Sequence, residues 1–184
     1  MKNIICIVGN PNCGKTTLFN ALTGSKQEVG NWPGVTVDKK TGRYSFEGSD
    51  VEIVDLPGIY SITPASTSGE DERIARDYIL TDEAQAVINI VDASNLERNL
   101  YLTAQLIEMR VPMVVAVNML DIAKNHKIEV DLKALQQALG CPVVGLVAAR
   151  EQGVRELQKT VAEFLKNPQL PPMNVSFEDR IEKA

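Results

Sequence analysis

The chain has 184 residues, 44% hydrophobic and 23% charged, which is ordinary for a protein that buries one core. Nineteen basic and 24 acidic residues give a formal net charge of −5 without a block of like charges. This balance disfavours nucleic acid and anionic membrane surfaces as partners, because both attract basic patches. Three cysteines without a C-x-x-C pair predict a reducing compartment, and with a single histidine they give no support to a Cys/His metal site.

Strand-like and helix-like stretches alternate, which is typical of a mainly parallel sheet with helices on both faces. In the first half we predict a strand at 3–8, a helix at 15–22, a mobile polar loop at 24–35, hairpin strands at 37–46 and 51–54, and a helix at 70–80. In the second half we predict strands at 86–91, 112–117 and 143–147, a helix from a Ser94–Glu97 capping box to Met109, a helix from Asp131 to Gly140, and a helix at 154–164.

These elements predict an α/β, three-layer αβα fold with a mainly parallel six-stranded sheet and one antiparallel edge strand. Residues 1–166 are predicted to form this domain. Residues 167–184 are predicted to be a linker and the start of a further helix near Ser176.

A glycine-bounded loop joins the first strand to the first helix, with the sequence Gly9-Asn10-Pro11-Asn12-Cys13-Gly14-Lys15-Thr16-Thr17. Its G-x-x-x-x-G-K-[ST] pattern predicts a polyphosphate site, because the two glycines let backbone N–H groups wrap round the phosphates. The helix start at Thr16 and Thr17 adds free N–H donors and a partial positive charge. Lys15 can reach the β- and γ-phosphates, and the Thr16 hydroxyl can ligate Mg²⁺. The pattern therefore predicts a P-loop NTPase.

Two further motifs follow predicted strands, at the sheet edge where α/β folds bind ligands. Asp55-Leu56-Pro57-Gly58 has the D-x-x-G form, so Asp55 can hold Mg²⁺ directly or through water and the Gly58 N–H can sense a γ-phosphate. Asn118-Met119-Leu120-Asp121 has the N-x-x-D form. The Asp121 carboxylate can accept hydrogen bonds from both guanine donors, which selects GTP over ATP. A helix cap is the alternative for this motif. Backbone N–H groups of the segment Val147-Ala148-Ala149-Arg150 can meet the guanine O6.

The order of these motifs resembles that of the translation-factor-like GTPases, and finer features resemble the cytosolic GTPase domain of the ferrous iron transport protein B family. Those features are Asn10-Pro11-Asn12, the loop Val29 to Val37, Asp55 to Ser61, Val91 to Leu100, and Asn118 to Asp121. The resemblance covers about residues 1–165. It implies a Ras-like G domain on the cytoplasmic face of the inner (plasma) membrane, followed by a helical domain and a polytopic membrane domain. The fragment itself is expected to be soluble.

The resemblance also implies roles for the loop before the second strand. Thr36, with Gly34 and Val35 beside it, would be the switch threonine that ligates Mg²⁺ and contacts the γ-phosphate. Asn10 would bind K⁺, with the backbone near Gly30 and Trp32 completing the site. Asn10 alone also fits a loop-stabilising role, and Trp32 fits either a switch or partner contact or a core position.

Five positions depart from the GTPase patterns. Ile59 replaces the glutamine that orients the attacking water in Ras-like enzymes, so intrinsic hydrolysis should be slow. Met119 replaces a lysine but can still pack on guanine. Ala148 and Ala149 lack the hydroxyl of the S-A-K element, which predicts faster GDP release. Cys13 is either a reactive thiolate beside Lys15 or simply a small side chain.

The predicted function is a Mg²⁺-dependent, K⁺-stimulated GTPase domain that controls Fe²⁺ uptake, with Lys15, Asn10, Thr36 and Gly58 as its catalytic residues. One alternative is a free-standing ribosome-assembly GTPase, which the absence of a basic stretch disfavours. Another is a nucleotide-sensing module with negligible hydrolysis, which Ile59 favours. Homo-oligomerisation is left open.

Overall fold

The computed structural model describes residues 3–24, 26–62, 69–81 and 83–172. The strands are β1 (Asn3–Gly9), β2 (Gln27–Asn31), β3 (Asp38–Phe46), β4 (Ser49–Asp55), β5 (Ala86–Asp92), β6 (Met113–Asn118) and β7 (Val143–Gly145). The helices are α1 (Lys15–Thr23), α2 (Glu70–Leu80), α3 (Leu96–Glu108), α4 (Leu120–Asn125), α5 (Leu132–Leu139) and α6 (Val154–Lys166).

The strands form one sheet in the order β2-β3-β4-β1-β5-β6-β7. The five strands from β4 to β7 in that order are parallel to one another, whereas β3 is antiparallel to both of its neighbours. The mainly parallel α/β prediction is therefore confirmed. The sheet has seven strands rather than the predicted six, and the edge position belongs to β2.

The additional strand lies in the segment that was predicted to be a mobile loop. Gln27 pairs with Gly42 and Asn31 with Asp38, so the hairpin extends the sheet by one strand. The prediction was wrong here because β2 is polar and solvent-exposed, with Val29 66% exposed, so no apolar alternation marks it. Backbone pairing with β3 accounts for this strand.

Alternating side chains of β1 build the two apolar layers. Ile5 and Ile7 pack in a cluster with residues of α1 and α6. Cys6 and Val8 point the other way, into a cluster with residues of α2 and α3. This alternation, expected of a strand covered on both faces, confirms the three-layer arrangement.

The structure corrects one predicted helix cap and confirms another. The Ser94–Glu97 capping box is wrong: the Ser94 N–H and hydroxyl both donate to the Asp92 carboxylate, at 2.8 and 2.7 Å, so Ser94 lies in a 3₁₀ turn before α3. The cap at Asp131 is confirmed, because its carboxylate accepts from the Lys133 and Ala134 N–H groups. Helix α4, directly after β6, was not predicted.

The predicted helix near Ser176 lies outside the described residues, and the boundary at 166 stays a prediction. Within the described ranges, every helix is too short or too polar to cross a bilayer. The parallel strands all end at the same edge of the sheet, and the loops that follow β1, β4, β5, β6 and β7 meet there.

Candidate functional site

The loop between β1 and α1 wraps into the concave form that its glycines predict. Gly14 has φ +92°, and a Cβ there would lie 2.2 Å from Nδ2 of Asn118. A Cβ at Gly9 would lie 2.5 Å from the Ile90 carbonyl oxygen. Close approach therefore requires glycine at both positions, and at Gly14 the left-handed backbone requires it as well. Asn12 is also left-handed, with φ 66°.

Lys15 and Asp55 come together at the mouth of this loop. The Lys15 Nζ lies 2.6 Å from Asp55 Oδ1, which joins the first turn of α1 to the end of β4. Asp55 is buried and Thr16 is exposed at the start of α1. One carboxylate and one hydroxyl suit Mg²⁺, which takes few protein ligands and completes its shell with phosphate oxygens and water. Among the described residues no cluster of three or more His, Cys, Asp or Glu side chains forms a dedicated metal cage.

Asn118 links three of the predicted site segments through one buried side chain. Its Nδ2 donates to the Cys13 carbonyl at 3.0 Å, and its Oδ1 accepts from the Ala148 N–H at 2.9 Å. Both amide ends are therefore used, and the side chain is 3% exposed. The phosphate loop, the loop after β6 and the loop after β7 are thus fixed relative to one another.

Asp121 lies in the first turn of α4 and is partly exposed. Its carboxylate is 3.7 Å from Nη2 of Arg150, and the two side chains are 30% and 65% exposed. Met119 adopts a left-handed conformation, φ 62°, and its Cε lies near Gly14. Arg150 was predicted only as the last residue of the backbone segment Val147 to Arg150, and the approach of its guanidinium to Asp121 was not predicted.

The segment after β4 is anchored to the phosphate loop through its backbone. The Ile59 N–H donates to the Gly9 carbonyl at 3.1 Å, and the Ile59 side chain is buried in the core. Gly58 lies against Pro11, whose Cα would be 3.3 Å from a Cβ at Gly58. Ile59 therefore contributes packing, and neither its side chain nor its N–H is available to orient a water molecule.

The segment with Thr36 stands apart from these contacts. Thr36 is exposed, and among the described residues it makes no hydrogen bond to Lys15 or Asp55. Gly34 has φ +77° in open surroundings, and the Val35 N–H donates to the Trp32 carbonyl. The structure therefore does not bring Gly34, Val35 and Thr36 to the phosphate loop.

Trp32 lies in the core, which is one of the two positions predicted for it. It is buried, its ring meets that of Tyr78 on α2 edge-on at 5.4 Å, and Lys39 Nζ lies 4.8 Å from the ring centroid. This aromatic contact attaches the β2–β3 turn to α2.

Cys13 matches the small-side-chain interpretation and not the reactive-thiolate one. It is 1% exposed, and burial raises the pKa of its thiol to about 11, although the backbone N–H and charge of Lys15 act in the opposite direction. A buried, protonated thiol is a poor nucleophile at neutral pH.

The family model described as ferrous iron transport protein B matches residues 3–161. The chain belongs to this family. The Fe(2+) transporter FeoB of Escherichia coli (strain K12) is 53% identical over 167 residues, which are 90% of this chain and 22% of that transporter. The chain thus spans about a fifth of the length of the curated relatives that it matches.

Solved structures from this family share the fold. The cytosolic domain of L. pneumophila FeoB has a TM-score of 0.86 at 43% identity, over 98% of this chain and 76% of that one. The G domain of the T. maritima FeoB iron transporter has a TM-score of 0.82 at 42% identity, over 89% and 99%. A GDP-bound S. thermophilus NFeoB mutant has a TM-score of 0.81 at 46% identity, over 88% and 61%. These likenesses confirm the P-loop NTPase G-domain fold and the family resemblance.

Proposed function

We propose that this G domain binds and hydrolyses GTP and switches between GTP and GDP states as the regulatory domain of a ferrous iron transporter. The observation that carries the proposal is the Asn118 side chain, which fixes the phosphate loop against the loops carrying Asp121 and Ala148. One site can therefore hold a polyphosphate and a guanine at the same time. The GDP-bound S. thermophilus relative supports the same ligand class.

The phosphate side of the site would be held by the loop amides from Asn10 to Thr17, with Lys15 on the β- and γ-phosphates. Thr16 and Asp55 would hold Mg²⁺, and Thr36 would join them after movement of its exposed turn. Bound Mg²⁺ supplies positive charge to the phosphate oxygens. Lys15 would exchange its 2.6 Å contact with Asp55 for the phosphates, which leaves the Asp55 carboxylate free to face the metal.

Hydrolysis would proceed by in-line attack of water on the γ-phosphorus. The bond to the bridging oxygen breaks, and its electron pair remains on GDP. Lys15 and the loop amides would stabilise the developing charge, and the Gly58 N–H would contact the γ-phosphate. Because Ile59 is buried and its N–H is bonded to Gly9, Ile59 offers no group that orients the water, and the intrinsic rate is expected to be slow.

We propose that K⁺ stimulates hydrolysis, because the surroundings of the Asn10 side chain suit a bound cation. Its side chain is 4% exposed, and its Oδ1 has no hydrogen-bond partner among the described residues. A buried carbonyl oxygen without a partner is costly, and a cation would satisfy it. Bound K⁺ would add positive charge beside the phosphate loop, as an arginine finger does elsewhere.

The wider assignments rest on family membership, because the chain spans about a fifth of its relatives. We propose that the domain acts on the cytoplasmic face of the membrane, covalently linked to helical and membrane domains, and that its nucleotide state controls Fe²⁺ uptake. The negative net charge and the family assignment leave the ribosome-assembly alternative without support.

Single-turnover GTP hydrolysis in KCl and in NaCl tests the proposal. The wild-type domain is expected to be about tenfold faster in KCl, and Lys15→Ala should abolish hydrolysis in both salts. Asn10→Ala should remove the difference between the salts, whereas the control Asn125→Ala, at an exposed position on α4, should behave as wild type. Equal rates in both salts would refute the K⁺ role. Tight GTP binding with no hydrolysis in either salt would replace the GTPase by the nucleotide-sensing alternative.

A further inference from the structure

One face of α3 makes two polar contacts with the segment that follows β4. The guanidinium carbon of Arg98 lies 4.5 Å from the ring centroid of Tyr60. Two turns further along α3, Gln105 Oε1 accepts from the Ile62 N–H at 2.8 Å. Residues seven apart lie on the same side of a helix, so the two contacts act together. We call Arg98 and Gln105 the α3 clasp.

The clasp holds one end of a short segment whose other end is held by β1. At the β1 end, the Leu56 and Ile59 N–H groups donate to the Ile7 and Gly9 carbonyls. At the α3 end, Ile62 is buried, whereas Tyr60 is 43% exposed and its ring lies against Arg98. Gly58 lies between Leu56 and Ile59, the two residues bonded to β1, and precedes by two residues the Tyr60 ring that contacts Arg98.

We propose that Arg98 and Gln105 are positioning residues for GTP hydrolysis, which hold the Gly58 segment where its N–H can meet a γ-phosphate. The proposal rests on the GTPase function proposed above. A preorganised donor stabilises developing charge without reorganisation, whereas a mobile donor must be ordered during the reaction. Because Ile59 supplies no catalytic side chain, the placement of the backbone of this segment matters more than in Ras-like enzymes.

Arg98 is charged and Gln105 is neutral, so a comparison of their variants separates a positioning effect from a charge effect. Arg98 also lines a cleft of about 180 Å³ with Asn10, Pro11 and Asn12, so its charge lies near the phosphate loop. Gln105 is neutral, and its Oε1 accepts from the Ile62 N–H at the far end of the segment. If positioning is the role, loss of either residue lowers the hydrolysis rate while GDP affinity stays constant, because GDP has no γ-phosphate.

Five variants and one control test the clasp by single-turnover hydrolysis and by affinities for GDP and a non-hydrolysable GTP analogue. Gln105→Leu and Arg98→Ala should each slow hydrolysis about threefold to fivefold, and the double variant about tenfold or more. Gln105→Glu keeps the acceptor oxygen and Tyr60→Phe keeps the ring, so both should stay within twofold of wild type. The control Tyr101→Ala, exposed on the same helix, should have no effect.

The affinities for GDP and the GTP analogue distinguish a positioning role from a direct role in nucleotide binding. We expect GDP binding within twofold of wild type in the double variant, a lower preference for the GTP analogue over GDP, and faster amide exchange in residues 56–62. A double variant that hydrolyses GTP at the wild-type rate, or that loses GDP affinity in parallel with hydrolysis, would overturn the positioning role. If the wild type hydrolyses GTP no faster than Lys15→Ala, the GTPase proposal fails. The preference for the GTP analogue over GDP then tests by itself whether Arg98 and Gln105 position the Gly58 segment.

Discussion

Replacing Asp121 by asparagine is expected to weaken GDP binding by at least about 100-fold and to transfer the preference to xanthine nucleotides. The carboxylate would otherwise accept from two guanine donors, and a charged hydrogen bond contributes about 1.5–3 kcal/mol. An asparagine amide presents a donor that clashes with one of these guanine donors but matches the corresponding xanthine oxygen. Fluorescence titration with labelled GDP and XDP measures both affinities.

The structure offers a control for the Asp121 variant. Glu129→Gln removes an exposed carboxylate from the segment between α4 and α5 and should leave GDP affinity within twofold of wild type. Wild-type GDP affinity in Asp121→Asn would show that this carboxylate does not read the base. In that case its contact with Arg150 and its place at the start of α4 would be its main role.

Replacing Asn118 by alanine is expected to reduce both stability and nucleotide affinity. The change leaves the Cys13 carbonyl and the Ala148 N–H buried without their partners, which costs about 2–4 kcal/mol of unfolding free energy. Affinity for GDP should fall further, because the phosphate loop and the base loops lose their shared support. Urea unfolding with and without GDP measures both effects.

Asn125→Ala is the matched control for this variant, because it removes the same side chain from an exposed site on α4. It should change the unfolding free energy by less than about 0.5 kcal/mol. If Asn118→Ala stays within that range and binds GDP normally, the link between the three loops is dispensable.

The parts of the fold that could be predicted are those where burial determines the sequence. Strand β6 is a continuous apolar run from Met113 to Val117, and β5 is apolar from Ala86 to Val91 except for the buried Asn89; such runs are typical of strands covered on both faces. Strand β2 has no such signature because it lies at the edge, and its pairing with β3 was therefore missed. The cap of α3 was missed because Asp92, at the end of β5, competes for Ser94 before the helix begins.

The candidate site shows a similar division. The spacing of Gly9, Lys15 and Asp55 predicted that their segments meet, since the loops of parallel strands share one edge. Spacing does not reveal which atoms join those segments. The two hydrogen bonds of Asn118, the approach of Arg150 to Asp121 and the stacking of Arg98 on Tyr60 all arise from side-chain packing between elements that are distant in sequence. Burial likewise decided the alternatives for Trp32 and Cys13.

Amide NMR titration of the domain with Mg·GDP and Mg·ADP tests most directly whether the loops after β1, β6 and β7 form one guanine-nucleotide site. With GDP we expect saturable, one-to-one shifts at three groups of amides: Gly14 to Thr17, Asn118 to Asp121, and Ala148 to Arg150. With ADP at the same concentration, the second and third groups should not move. Equal responses to the two nucleotides, or GDP shifts confined to the phosphate loop, would contradict the assignment of a guanine site.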